Sequence, residues 1–292
     1  MSDFFSFRRG HRIYPKPAKR RVLVTGGAGN IGSFFAEHSH ERYELTLMVH
    51  PDVDPAPVED FGRVVRSDLA DLDRLKTLFR GIDTVVHLAA DPSAEAVWAS
   101  VLQNNIIGTY NAFTAAAAVG CRRVVYASSI HAVSGYPAGR QVEPDDPVNP
   151  GDLYGVSKCF GEAMARFIST QHDTSCLVIR IGGFQPADHP RETKNLRNMA
   201  AFVAKGDLKQ LLCCCIDNED LQFAICHGLS DNRFNRMNIE STRELVGYTP
   251  QMDYTLAHPA LKELNLRGHV PPHSEKGGQK TGLREELDEE NS

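Results

Sequence analysis

The stretch Arg21 to Gly32, RVLVTGGAGNIG, carries the first reading of this chain. Val22, Leu23 and Val24 form a short apolar strand that ends at Thr25 and turns through Gly26, Gly29 and Gly32 into a helix. Gly26 permits the tight turn, Gly29 leaves bare backbone for a pyrophosphate, and Gly32 lets the helix pack close to the strand. The first-turn N–H groups, at Asn30, Ile31 and Gly32, have no partner within a helix and face such a phosphate. The same spacing also serves purely structural turns, so its meaning depends on the residues that follow.

Strand and helix alternate outward from this turn. Glu44 to Val49, ELTLMV, is a second strand. In dinucleotide-binding units an acidic residue closes that strand and accepts the ribose hydroxyls. Here His50 holds the position, with Asp52 and Asp54 beyond it, which leaves NAD and NADP both open. A third strand, GRVVRSD, brings Asp68 and Leu69 to the edge where an adenine lies. Leu72 to Phe79 is a helix, and GIDTVVHLAA is a fourth strand that delivers Leu88, Ala89 and Ala90, the alanines leaving space beside a cofactor. The next helix starts near Trp98 and runs through VLQNNIIGTYNAFTAAAA. Asn105 inside it costs helix propensity, and the expected compensation is a hydrogen bond across to the next strand.

The fifth strand, RRVVYASSI, leads into a Gly/Pro-rich loop over 133–151, long enough to imply a substrate-side task or a loose connection. A helix, GDLYGVSKCFGEAMARFI, and a sixth strand, SCLVIRIGG, follow. This alternation predicts an α/β protein with a Rossmann-type doubly wound parallel sheet. Beyond Gly183 the pattern is irregular, with helices expected over 196–204, 207–212 and 241–245, a strand at LQFAICHG and a short helix over 259–266. Residues 184–270 read as a small C-terminal substrate cap within a Rossmann unit of 20–270. Residues 1–19 read as a flexible basic arm, because no periodicity precedes Arg21, and 271–292 as a polar, disordered tail.

Composition narrows the function. The chain has 292 residues, 41% apolar and 24% charged, enough for a sizeable core. Its formal charge of −5 argues against nucleic acid or an anionic membrane as partner. No apolar run is long enough to span a bilayer and no signal-type segment is present, so a cytoplasmic location is expected. Seven cysteines, three of them consecutive at Cys213, Cys214 and Cys215, fit reduced thiols rather than a disulfide framework. No C-x-x-C pair occurs, and adjacent cysteines do not converge on an ion, so no metal is expected.

The chemistry is carried by Ser129 at a strand end and by Tyr154 and Lys158 one helical turn apart in Y-x-x-x-K. A tyrosine has an ordinary pKa near ~10 and is a poor base unless a cation favours its phenolate. Lys158 supplies that charge and holds a ribose hydroxyl, while Ser129 orients a substrate oxygen. Together they would remove an alcohol proton as a hydride leaves the same carbon for a nicotinamide. A Tyr/Lys pair alone is commonly structural, Ser129 alone a strand cap, and His131 alone a core histidine. Their order behind a glycine turn reverses that balance.

These motifs resemble the extended short-chain dehydrogenase/reductase superfamily, whose TGxxGxxG, fifth-strand serine and YxxxK match Thr25 to Gly32, Ser129 and Tyr154 to Lys158. The resemblance covers about 20–252. It implies a Rossmann sheet, a nicotinamide cofactor and a homodimer formed through the helices that contain Asn105 and Tyr154. Asn105 matches the asparagine of the family's N-x-x-G-T segment. Within the superfamily, ASVLQNNIIGTYNAF, YASSIHAVSGYP, LYGVSKCFGE and VIRIGG resemble bacterial uronate dehydrogenases, which oxidise the C1 hydroxyl of a hexuronate to a lactone with NAD. That match implies that Ser93, Ser129, His131 and Tyr154 face the sugar and that Arg197 meets its carboxylate, a contact suited to a guanidinium. The equal reading of Arg197 is a surface arginine.

Two departures widen the substrate class. Ile130 stands where the family has asparagine, and Gly183 where it has serine. Both remove polar partners from the sugar site, so a neutral sugar, a sugar phosphate or a sugar acid fits as well as a hexuronate. Arg233 and Arg236 are candidates for a phosphate or plain solvated residues. The competing function is a nucleotide-sugar epimerase or dehydratase built on the same serine, tyrosine and lysine. The short cap favours a free sugar, and the lack of an acid beside Ser129 counts against a dehydratase. A cofactor-binding protein without activity is a third class, opposed by the intact Ser129, Tyr154 and Lys158.

Overall fold

Apolar runs flanked by amphipathic helices must bury both faces, and every run read as a strand is one. The computed structural model describes residues 5–9, 18–192, 196–258 and 261. Its strands are β1 (Ser6–Arg8), β2 (Arg21–Thr25), β3 (Glu44–Val49), β4 (Arg63–Arg66), β5 (Thr84–His87), β6 (Arg123–Ser129), β7 (Ser175–Ile181), β8 (Gly183–Gln185), β9 (Phe202–Ala204) and β10 (Leu221–Gly228). Eight form one sheet in the order β1-β10-β7-β6-β5-β2-β3-β4, parallel throughout except for β1. This is the expected Rossmann-type doubly wound architecture.

Two helical layers explain why β6 and β7 are buried along their whole length. On one face Leu75, Phe79, Phe113, Ala165 and Ile168 pack against Val85, Val124, Tyr126 and Val178. On the other, Phe35, Leu208, Leu211 and Leu212 pack against Val24, Leu47, Val125 and Ile179. The strand order reverses at β2: β3 and β4 extend to one side and β5 to the other. In open parallel sheets a ligand crevice opens at such a reversal, beyond the carboxyl ends of the strands.

Four local expectations need correction. Part of the basic arm is not loose: Ser6–Arg8 pairs antiparallel with β10, and the Phe7 ring stacks on Phe223 at 5.9 Å. Three residues are too few to show a period, so only the sheet edge they complete reveals them. The helix expected over 196–204 is instead a 3₁₀ turn, Leu196–Ala200, followed by β9, which pairs with β8 in a small parallel sheet. Phe202, Val203 and Ala204 are all buried there. The helix expected over 207–212 extends from Lys205 to Asp217 and takes in the three consecutive cysteines. The helix from Trp98 to Ala118 is interrupted by a π-helical stretch, Val101–Ile107. The expected tail over 271–292, and all of the expected helix over 259–266 except Leu261, lie outside the described residues.

Candidate active site

The glycine turn forms one wall of the crevice. Gly26 has φ +69°, and a Cβ there would stand 3.0 Å from the backbone of Ala89, so β2 and β5 approach closely only with glycine at this point. A Cβ at Gly32 would lie 2.3 Å from the Gly26 carbonyl oxygen, which sets how tightly the helix Asn30–Glu37 abuts the turn. Gly29 is its N-cap, so the N–H groups of Asn30, Ile31 and Gly32 are the unpaired donors of the first turn. Thr25 fixes the fourth strand's exit: its Oγ1 bonds Nδ1 of His87 at 2.8 Å and accepts the Ala89 N–H at 3.3 Å.

A cleft opens beside this turn, lined by Gly26, Gly29, Met48, Val49, His50, Val53, Ser67, Asp68, Leu69, Ala89, Ala90 and Asn104. Seven residues anticipated for the cofactor meet here: Gly26, Gly29, His50, Asp68, Leu69, Ala89 and Ala90. Apolar walls, a glycine cradle and a helix N-terminus fit the adenosine and pyrophosphate of a dinucleotide. His50 lies between two carboxylates, Nδ1 3.6 Å from Asp52 and Nε2 3.9 Å from Asp68. Leu88 packs instead at the margin of the core.

Asn104, not Asn105, lines the cleft. Asn105 is buried and bonds neither the next strand nor solvent. Its Oδ1 accepts the Asp91 N–H at 2.8 Å, and its Nδ2 donates to the Asp91 carbonyl at 3.0 Å and to Ser157 Oγ at 2.9 Å. Ser157 donates in turn to the Tyr154 carbonyl at 2.7 Å. The asparagine therefore ties the loop after β5 to the helix Leu153–Gln171, and the π-helical stretch that carries it is a form that concentrates at functional sites.

Ser129, Tyr154 and Lys158 converge at the carboxyl end of β6, all of them buried. Ser129 accepts the His131 N–H at 3.2 Å and hydrogen-bonds Tyr154. Lys158 Nζ donates to the Ala127 carbonyl at 2.8 Å and lies 5.5 Å from the centre of the Tyr154 ring. Burial dominates both titrations. It lowers the Lys158 ammonium to about 7 and raises the Tyr154 phenol above its ordinary value. The Ser129 hydrogen bond pulls Tyr154 down against that effect, while the Asp152 and Asp91 charges add to it. The expected phenolate-favouring balance is thus reversed in the free protein, because desolvation outweighs the neighbouring groups.

Asp152, missed in the sequence reading, supports this cluster. It is the N-cap of the Tyr154 helix, accepting the Gly155 N–H at 2.7 Å on Oδ1, while Oδ2 meets His131 Nδ1 at 2.6 Å. The His131 ring stands edge-on to Tyr154, centroids 5.3 Å apart. An aspartate three residues ahead of a glycine at a helix start is a legible capping signal; its second partner, 21 residues away, is not. Beneath the site Glu162 holds Arg180 with both oxygens, at 3.0 and 2.9 Å, and accepts Ser128 Oγ at 2.6 Å.

The remaining candidates are less drawn in. Ser93 is exposed, its N–H on the Asp91 carboxylate and its Oγ accepting the Glu95 N–H. Arg197 falls in the turn Leu196–Ala200, its side chain outside the described residues. Arg236 does not serve a phosphate: its guanidinium donates to the carbonyls of Tyr136, Pro137 and Arg140, clasping the long loop.

Residues 22–215 match the model of the NAD dependent epimerase/dehydratase family, two thirds of the sequence and the whole of the crevice. The chain belongs to this family. As a family member of the extended short-chain dehydrogenase/reductase type it is an NAD-dependent enzyme, and NAD is its cofactor. It is 33% identical over 246 residues to an NAD-dependent glucose-6-phosphate dehydrogenase of Haloferax volcanii, covering 79% of this chain and 92% of that protein. It is 37% identical over 193 residues to a uronate dehydrogenase of Agrobacterium fabrum, covering 66% and 70%. The crystal structure of uronate dehydrogenase from Agrobacterium tumefaciens superposes with a TM-score of 0.74 at 31% identity, over 88% of this chain and 91% of that one. Among the described residues no helix is long and apolar enough to cross a membrane.

Proposed function

We propose that this family member oxidises the C1 hydroxyl of a free sugar or sugar acid to a lactone. The observation that carries the reading is the meeting of Ser129, Tyr154, Lys158 and His131 at the end of β6, beside the glycine crevice. The similarity to named sugar and uronate dehydrogenases supports it at the level of substrate class.

Bound NAD supplies the acceptor for the hydride that leaves C1. Tyr154 is the group that takes the C1 hydroxyl proton, and Ser129, hydrogen-bonded to it, positions the sugar oxygen. Because burial holds the Tyr154 phenol protonated, proton removal becomes easier as pH rises, so turnover increases toward alkaline pH. Lys158 anchors the helix to Ala127 and stands ready to hold a ribose hydroxyl. His131 and Ser93 contribute further sugar contacts, and Arg197 meets a carboxylate or phosphate when the substrate carries one.

The same helices offer a homodimer surface. Tyr110, Val156 and Phe167, on the helices Gly108–Ala118 and Leu153–Gln171, are each about half exposed. Exposed apolar residues along paired helices are the composition of an interface. Sedimentation equilibrium of the purified chain tests this: a monomer across the micromolar range removes the dimer.

The test of activity is the near-ultraviolet absorbance of reduced cofactor, with NAD or NADP and a panel of aldoses, hexuronates and sugar phosphates. Reduction with a hexuronate or sugar phosphate supports the reading and gives Arg197 a task. Reduction with neutral sugars alone keeps the chemistry and removes Arg197. Silence across the panel favours nucleotide-sugar epimerisation, the alternative within the family.

A further inference from the structure

We propose that Asp152 is a positioning residue for sugar recognition, using one carboxylate oxygen to start the Tyr154 helix and the other to fix the polarity of the His131 ring. The inference rests on the sugar dehydrogenase reading above and concerns a residue that touches neither sugar nor cofactor.

A carboxylate accepts hydrogen bonds and donates none, so the proton in the 2.6 Å contact sits on His131 Nδ1. In the neutral ring Nε2 then becomes an acceptor, suited to a sugar hydroxyl rather than to a carbonyl. The ring is a quarter exposed, which leaves room for a ligand at that edge. His131 is fixed at three further points. Its N–H lies on Ser129 Oγ, its carbonyl accepts from Ser134 Oγ at 3.1 Å, and its ring meets Tyr154 edge-on. Gly155 completes the fit, since a Cβ there would lie 2.3 Å from the His131 carbonyl oxygen. The helix start and the histidine turn are therefore one packed unit, with Asp152 bridging them.

This arrangement ties the start of the helix that presents Tyr154 to the hydrogen-bonding sense of the residue that reads the sugar. The charged and titratable groups around Tyr154 come from four elements. They are Asp91 from the loop after β5, His131 from the turn after β6, Asp152 at the helix N-cap and Lys158 within the helix. Removing the Asp152 charge relieves one of the influences that keep the phenol protonated, so the alkaline rise in kcat should move to lower pH.

Asp152→Asn separates the two tasks. Asparagine caps helices as well as aspartate does, so its amide oxygen retains the Gly155 N–H. Its NH2 turns to His131 and forces Nδ1 to accept, which moves the ring proton to Nε2. Imidazole nitrogen NMR of the full chain, with the His131 signal assigned by its loss in His131→Ala, reads this directly. The expected result is an Nδ1–H ring in the wild type and an Nε2–H ring in Asp152→Asn at an unchanged melting temperature. KM for the sugar should rise ~10-fold or more, with kcat changing less. In the His131→Ala background the second substitution should add nothing further to KM. Asp152→Ser, which keeps only the cap, should show the same KM increase.

An Nε2–H ring in the wild type overturns the proposal. So does an unchanged KM in both Asp152 variants, or a full additional loss in the His131→Ala background. If the wild type oxidises no sugar, the proposed function fails, and the ring tautomer still decides the role given to Asp152.

Discussion

The two sides of this crevice are built from different materials. On the cofactor side the contacts are backbone and small residues: a glycine turn, a helix N-terminus and the paired alanines after β5. On the sugar side they are side chains held by partners from other elements: Ser129 by His131, His131 by Asp152, and the long loop by Arg236. A backbone site tolerates almost no added volume but asks little of distant residues. A side-chain site tolerates changes in size but fails when a remote partner is lost. This difference fits a family in which one cofactor serves many substrates.

The largest expected effect tests whether the two sides separate. Tyr154→Phe should lower kcat by ~10²–10⁴-fold, the range for loss of a general acid–base group. NAD affinity, measured by calorimetry, should stay within about twofold, about 0.4 kcal/mol. An equal loss of cofactor binding would show that the sides are not independent.

Lys158 sharpens the comparison through pH. Its folded pKa, about 7, is depressed from 10.5, so the unfolded chain binds the extra proton between these values. The sign follows: stability rises with pH across that window and is lowest below it, where the buried ammonium is charged. A Lys158→Met variant should lack this contribution of roughly 2–4 kcal/mol. Parallel melting curves for both proteins at every pH would refute the buried, depressed lysine.

Gly32→Ala attacks the cofactor side alone. Its Cβ would meet the Gly26 carbonyl oxygen at 2.3 Å, and the resulting shift should cost about 1–3 kcal/mol of stability and weaken NAD binding. KM for the sugar at saturating NAD should change less than NAD affinity. Asn105→Ala tests the tie between the sides. It leaves the Asp91 loop and Ser157 without their shared partner, at a cost of about 1–3 kcal/mol seen in chemical denaturation. A neutral result would assign Asn105 no part in holding the Tyr154 helix.

What the sequence determined by itself is the local code. The strand and turn of 21–32, the continuous apolar runs of β6 and β7 and the Y-x-x-x-K spacing are short-range patterns. Each follows from backbone geometry and from the need to bury apolar faces. They were enough to place Ser129, Tyr154 and Lys158 together and to anticipate seven of the residues that line the cleft. What only the tertiary structure decided are the pairings across the fold. Phe7 joins a sheet edge 216 positions away in Phe223. Asn104 rather than Asn105 faces the cleft, because a π-helical stretch changes which residue points inward. Asp152 reaches His131, and Arg236 clasps the 136–140 segment instead of offering itself to a phosphate. The protonation of the Tyr154 and Lys158 pair also depends on burial, a property of the packed molecule rather than of residue spacing.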